Sequence, residues 1–417
     1  MTEGKLTAVA IANRLGHWFG TGLVVPVLAI FQIDRGLSLI QLGINGLIFA
    51  AAVAVLEIPT GGLSDTLGRR KVYLISLVVS IVTAGVFVVA RSPVTLAAGF
   101  GLMGMARALS SGCMDAYFVD AFDALEHSGE LQRFLARIGV FVPLSLALGG
   151  LLGGFIPEWA DGFVAAGGLL DRYSFLFIVI VLANVLQLLM TIALVPNDQP
   201  LDAGGGIAAG LSRFPIILRD SLRLGIANRA VLLLLLGSAA WGVAFAGLEQ
   251  FWQPYVDGFT LKESPTRLFG YLTTGYFLVG SLGALASSWL FRLIGSRYGA
   301  TVGLLRFAIG ALFILLSFTG SVLLFATVYL ALFFLNGIND SPEQAMFNAR
   351  VPSSARSTLL SFQSLFLQLG GGAAAVVWGA LSEQYSIGLS WRIAGALFAL
   401  SGLFYIRSGS NPADRSD

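Results

Sequence analysis

Sulfur and imidazole are almost missing from this chain of 417 residues, which has one cysteine, Cys113, and two histidines, His17 and His127. One thiol forms no internal disulfide. This supply of ligands builds neither a thiolate redox centre nor a zinc site. Charge is scarce as well: 12% of residues are Asp, Glu, Lys or Arg, against 56% hydrophobic, where a soluble domain carries about 25% charged residues. The chain has no Gly-x-x-x-x-Gly-Lys-Ser/Thr loop, so nothing points to nucleotide hydrolysis. An enzyme is not expected, nor a cofactor, a metal or a nucleic-acid partner. What the chain has is apolar length. Its mean hydropathy is +0.82, and it reads as an integral membrane protein. The first apolar run, from about Leu6, is long enough for a first span rather than a cleaved signal.

A bilayer core about 30 Å thick takes roughly twenty helical residues. Twelve such runs fit, near 6–32, 39–62, 72–91, 94–120, 133–157, 172–195, 229–252, 267–291, 299–319, 322–341, 355–381 and 385–407. The break after the sixth differs from the others. It opens PNDQPLDAGGGIAAG, a flexible polar linker. It continues LSRFPIILRDSLRL, where Leu211, Phe214, Leu218 and Leu222 share one helical face and Arg213, Arg219 and Arg223 lie away from it. That is the pattern of a helix on a membrane surface. The expected fold class is therefore all-α, with twelve transmembrane helices in two pseudo-symmetric six-helix bundles. These are residues 1–195 and 229–417, joined by a cytoplasmic linker at 196–228 with its amphipathic helix. With the N-terminus inside, sixteen of the 25 Lys and Arg residues fall on the cytoplasmic side and six on the other. The positive-inside rule then places both termini in the cytoplasm.

The halves echo each other. LSDTLGRRK after span 2 aligns with LFRLIGSRY after span 8, and ALGGLLGG in span 5 with QLGGGAAA in span 11. Internal repeats in a many-span chain point to a transporter.

The densest charge lies in EIPTGGLSDTLGRRKV, between spans 2 and 3. Its core, Gly61-x-Leu63-Ser64-Asp65-x-x-Gly68-Arg69-Arg70-Lys71, resembles the loop 2–3 signature of the major facilitator superfamily. The likeness covers nearly the whole chain. Arg107 in RALSSG resembles the span-4 Arg-x-x-x-x-Gly motif of proton-coupled members. GGLLGG at Gly149–Gly154 resembles the Gly-Pro-x-x-Gly-Gly of drug/proton antiporters, with Gly150 in place of the proline. DRGLSLIQLG and SGCMDAYFVD also look like bacterial drug-efflux members.

The resemblance implies a latch. Gly61, Gly62 and Gly68 let the helix end and the chain turn. Asp65 faces the N-terminus of span 11, near Ser353 and Ser354, and Arg69 and Arg70 reach Asp120 and Asp123. The bland alternative is that these residues only anchor the loop at headgroups, and for Lys71 the anchor is the expectation.

Charge inside a span is costly and marks a functional path. At a rise of about 1.5 Å per residue, Arg14, Glu57 and Asp115 come to a similar level of the first half. Two carboxylates beside one guanidinium titrate apart, which suits a proton carrier; a structural salt bridge is the alternative. Arg107 either tunes Asp115 or binds substrate. Glu249, among Phe251, Trp252 and Tyr255, contacts a lipophilic cation or belongs to an interfacial belt. Asn13, His17 and Trp18 are candidate cavity residues, and Arg306 with Asp340 a structural pair. Together with the resemblance, these residues predict a monomeric, proton-driven exporter of small lipophilic compounds in a bacterial cytoplasmic membrane, partnered by protons and lipids. A specific-metabolite symporter or facilitator and a transport-inactive sensor remain as alternatives.

Overall fold

The computed structural model describes residues 2–125, 130–164, 168, 170–198, 219, 228–260, 265–294, 298–351 and 356–408, without the side chains of residues 58, 61, 62, 65, 260, 294, 356–358 and 361. The amphipathic segment 211–223, His127, Ser353, Ser354 and the Asp65 side chain lie outside the described residues, apart from Arg219.

Among the described residues every regular element is helical. The helices are α1 (Glu3–Val24), α2 (Ile30–Asp34), α3 (Leu39–Leu67), α4 (Arg69–Val89), α5 (Pro93–Ser110), α6 (Cys113–Asp123), α7 (Leu131–Gly139) and α8 (Phe141–Asp161). There follow α9 (Arg172–Leu194), α10 (Arg229–Asp257), α11 (Thr266–Ile294), α12 (Tyr298–Leu316), α13 (Val322–Arg350), α14 (Arg356–Gln384) and α15 (Ile387–Arg407). Ten stretches among the described residues are long and apolar enough to cross a membrane. The other two predicted spans fall on α1, which carries Glu3, Lys5 and Arg14, and on α5–α6, which is broken. Leu182, Leu186 and Leu189 stand exposed along α9, and Val78 and Val82 along α4. Lipid is the solvent that fits such faces.

Three local features differ from the sequence expectation. Span 1 does not run to residue 32: after Val24 the chain tightens into a single 3-10 turn, Val25–Val27, where Pro26 offers no N–H, and then forms α2. Span 2 is not ended by Pro59, Gly61 and Gly62. It stays helical to Leu67, and one residue makes the turn, Gly68, with φ +90°. At membrane depth, free backbone groups find no water, so the helix persists through weak formers. Span 4 is interrupted at Ser111–Gly112, where Gly112 has φ +69°.

The chain forms two compact units, and α3 and α11 each contribute to both. The first unit comprises Met1–Arg35, Ala52–Phe214 and Pro265–Thr274. Its core joins α1, α4, α6 and α7 through Leu6, Val72, Tyr73, Phe118, Phe122, Phe134 and Ile138. The GGLLGG stretch of α8 has two packing faces. Gly149 and Gly153 admit the backbone of α1 at Phe19 and Leu23, while Gly150 and Gly154 admit the start of α11 at Thr273 and Gly270. A Cβ on Gly150 would lie 2.6 Å from the Thr273 methyl. Small residues let membrane helices approach this closely.

The second unit comprises Gly36–Ala51, Pro215–Ser264 and Gly275–Asp417. Here the glycines of α14 repeat that arrangement: Gly371 meets Gly242 of α10, and Gly372 meets Ala50 and Leu47 of α3. The echo between spans 5 and 11 is thus a repeat of packing roles.

Candidate functional site

In the first unit the kink at Gly112 sets the site. It starts α6 afresh, with Asp115 in the first turn, where the helix dipole favours a carboxylate. Arg14 Nη2 on α1 donates to Asp115 Oδ1 at 2.6 Å. The Arg14 side chain is 15% exposed and that of Asp115 65%. Ser111, at the kink, donates its hydroxyl to Glu57 Oε1 at 3.2 Å. Thr60, one turn on from Glu57, donates to Ala108 O at 3.1 Å and ties α3 to α5. The expected grouping of Arg14, Asp115 and Glu57 therefore takes this form: Arg14 pairs with Asp115, and Glu57 meets the kink that presents Asp115.

Arg107 belongs to α5 and Asp115 to α6, so the expectation of one continuous helix carrying both is corrected by the kink. The Arg107 guanidinium lies over the Trp18 ring, 5.9 Å from its centroid. Trp18 is in turn edge-on to His17 at 5.2 Å.

Behind His17 runs a buried polar chain. The Tyr73 hydroxyl lies 3.2 Å from His17 Nδ1. Gln187 Nε2 donates to the Tyr73 oxygen and to Asn13 O, both at 3.0 Å. Asn13 Nδ2 donates to Thr191 Oγ1 at 3.4 Å. Asn13, expected on the cavity, is instead buried between α1 and α9, because its amide is needed there.

At the Gly68 turn, Arg69 donates to Asp120 of α6, as the latch reading expects. Arg70 does not go to an acid of span 4. It donates to Asn197 Oδ1 and, at 2.9 Å, to Ile192 O. Asp123 is exposed and makes no ion pair among the described residues. Lys71 is exposed. Asp198, which the sequence reading assigned to the linker, accepts from the backbone N–H groups of Arg69 and Arg70 and fills the α4 N-terminus. A cavity of about 280 Å³ lies here, lined by Ser64, Arg69, Tyr117, Asp120, Ala121, Asn197 and Asp198. Its signal in the sequence was Asp198 itself, a capping residue three positions past the span.

In the second unit Glu249 is exposed on α10, with no ion pair among the described residues. Tyr276 and Tyr329 lie within its electrostatic reach. The expected aromatic surround is corrected. Phe251 and Trp252 are buried, Trp252 packs on Tyr329 at 5.5 Å, and Tyr255 turns to Trp391 at 4.5 Å. Phe251, two positions on from Glu249, faces another side of the helix, and Trp252, three positions on, is buried against Tyr329.

Arg306 is fully buried, and its partner is Glu343, one turn beyond the expected Asp340. Nε and Nη2 meet the two carboxylate oxygens at 2.5 and 2.8 Å. Gly237 O, Ser401 Oγ and Tyr405 OH take the remaining donors at 2.7–3.0 Å. No group of three or more metal-ligating side chains is clustered among the described residues.

The match to the Major Facilitator Superfamily model covers residues 11–269. The chain belongs to that family and is a multi-pass membrane transporter. It is 19% identical over 386 residues to the "Uncharacterized MFS-type transporter YxaM" of Bacillus subtilis (strain 168), covering 92% of this chain and 91% of that one. Among solved structures it is similar in fold to nucleoside transporter NupG, with TM-score 0.75, 13% identity, 97% of this chain and 98% of that one. A bacterial homologue of the human lysosomal transporter Spinster, inward-facing and unoccupied, gives 0.71, 14%, and 99% of both chains. The human organic anion transporter MFSD10 gives 0.59, 17%, 97% and 100%.

Proposed function

We propose that the chain is a proton-coupled exporter of small lipophilic compounds, working by alternating access in a bacterial cytoplasmic membrane with both termini inside. The observation that carries this reading is the 2.6 Å pair of Arg14 and Asp115 inside the first unit. Protonating Asp115 neutralises the acid and leaves Arg14 half-buried beside it without a counter-charge. Asp115 is 65% exposed, so solvent screens part of the loss, yet an unpaired cation at membrane depth is still disfavoured. A proton arriving at Asp115 therefore favours rearrangement of α1 against α6. Glu57 meets the same kink through Ser111 and serves as second acceptor. The Arg69–Asp120 contact acts as the latch. Lipids surround the helices, the monomer is the working unit, and no covalent chemistry is performed.

The test is accumulation of fluorescent lipophilic cations and neutral drugs in bacteria lacking their own pumps, with and without a protonophore. Wild type accumulates less than empty vector. The difference disappears with protonophore and in Asp115→Asn at matched expression. Equal accumulation in wild type and empty vector contradicts the reading.

A second reading is a transporter of one polar metabolite. It is favoured by Glu249 and His17, which offer polar atoms beyond what a purely apolar cargo needs.

A further inference from the structure

Gln187 is buried between α1, α4 and α9, and its orientation is fixed by what it donates to. Both Nε2 hydrogens are used, on Asn13 O and on the Tyr73 oxygen, each at 3.0 Å. Turning the amide over would set Oε1 against the Asn13 carbonyl, two acceptors facing each other. Oε1 itself has no hydrogen-bond partner and lies against Gly16, where a Cβ would collide with it. Only glycine at position 16 leaves room for this amide.

The consequence passes along the chain of hydrogen bonds. The Tyr73 oxygen accepts from Gln187 and lies 3.2 Å from His17 Nδ1, which leaves its single O–H to be given to that nitrogen. Nδ1 is then an acceptor, and the ring hydrogen of neutral imidazole sits on Nε2. His17 is half-buried, and Nε2 makes no hydrogen bond and is not closed off among the described residues. The ring stands beside Trp18, which Arg107 covers. Arg14 and Arg107 are the charged groups in electrostatic reach of the ring.

We propose that Tyr73 and Gln187 lock His17 as its Nε2–H tautomer, making it a fixed hydrogen-bond donor that selects transported compounds carrying an acceptor at that point. The assignment of the donor to cargo rests on the export reading above; the lock itself does not. Tyr73 and Gln187 are positioning residues, and His17 makes the contact. Fixing a donor in advance removes the cost of choosing a tautomer on binding.

The first test reads the ring directly. The protein has two histidines, so His127→Gln leaves one 15N-labelled imidazole. At neutral pH the spectrum shows Nε2 protonated and Nδ1 bare, and Tyr73→Phe converts it to a mixture of tautomers. Nδ1–H in the parent, or a spectrum indifferent to Tyr73→Phe, overturns the lock. The second test compares extrusion of rhodamine 6G, which carries an ester acceptor, with tetraphenylphosphonium, which has none. His17→Phe lowers extrusion of rhodamine 6G about tenfold, the worth of one hydrogen bond of about 1.4 kcal/mol. It lowers extrusion of tetraphenylphosphonium much less, and His17→Gln, which keeps an N–H near the same place, retains most of the rhodamine 6G extrusion. Equal effects on both probes, or extrusion of neither, overturns the assignment of the donor to cargo while the spectrum still decides the lock.

Discussion

Asp198 leans on Gly68 so closely that a Cβ at position 68 would stand 2.9 Å from its Oδ1. The same carboxylate accepts from the N–H groups of Arg69 and Arg70. The turn after α3 and the segment after α9 therefore form one structure, joined where the backbone N–H groups at the N-terminus of α4 donate to the Asp198 carboxylate. Gly68→Ala meets two obstacles, a φ of +90° that L-residues avoid and the Asp198 contact. It is expected to cost about 2 kcal/mol or more. Asp198→Ala removes a helix cap worth about 1 kcal/mol. Thermal melts in detergent check both. If the contact is a real restraint, Gly68→Ala costs less in the Asp198→Ala background than alone. Full additivity contradicts it.

A second expectation concerns Arg306 and Glu343. All five guanidinium N–H groups have acceptors, and the cation also lies over Tyr405 at 4.3 Å and Phe398 at 4.7 Å. Removing one partner strands the other charge in the interior. Glu343→Ala and Arg306→Ala are each expected to lower stability by about 3–5 kcal/mol, and the double change by less than their sum. Asp340→Ala is the control, with an exposed side chain and little expected effect. A larger loss in Asp340→Ala than in Glu343→Ala would contradict the assignment.

Much of the architecture was legible in advance because hydropathy is a strong signal when the solvent is lipid. Arg14 with Asp115 was also legible, because counting residues in from the span ends put them at one level. What failed was local. The breakers Pro59, Gly61 and Gly62 suggested a helix end, but the bilayer gives a broken backbone nothing to bond to. RALSSG resembled a motif within one continuous span, yet Gly112 kinks the helix and separates Arg107 from Asp115. Glu343 lay three residues beyond the expected acid, where only the helix rotation decides which one faces Arg306. Asp198 was hidden in a stretch whose composition reads as linker.

A third expectation has a pH signature. Arg35 is 2% exposed and forks Asp171 at 2.9 and 3.0 Å, with a further bond to Phe87 O at 2.6 Å. Burial opposes charge on Asp171, but the Arg35 fork and the Ser174 bonds outweigh it and hold the carboxyl below its usual range. A depressed pKa means that the stabilisation is complete above the unfolded value of about 3.9 and is lost as pH falls through the lower folded value. The melting difference between wild type and Asp171→Asn is therefore flat from about pH 5 to 8 and shrinks below about pH 4. A difference that already closes near pH 6 would contradict the clamp. Arg35→Ala is expected to cost about 3–5 kcal/mol.

A fourth expectation tests packing. Gly150 faces the Thr273 methyl at 2.6 Å from its would-be Cβ. Gly150→Val is expected to destabilise the protein by about 1–3 kcal/mol through overpacking. Thr273→Ser, which removes that methyl, is expected to recover part of the loss. No recovery would mean that the valine is resisted elsewhere.

The central claim is that Asp115 carries the proton. The most direct measurement is proton movement in proteoliposomes holding a pH dye, on addition of the best-extruded compound from the cellular panel. Wild type is predicted to move protons against cargo, and Asp115→Asn to exchange cargo across the membrane without moving them. Cargo-driven proton movement that survives in Asp115→Asn would contradict the claim and turn attention to Glu57.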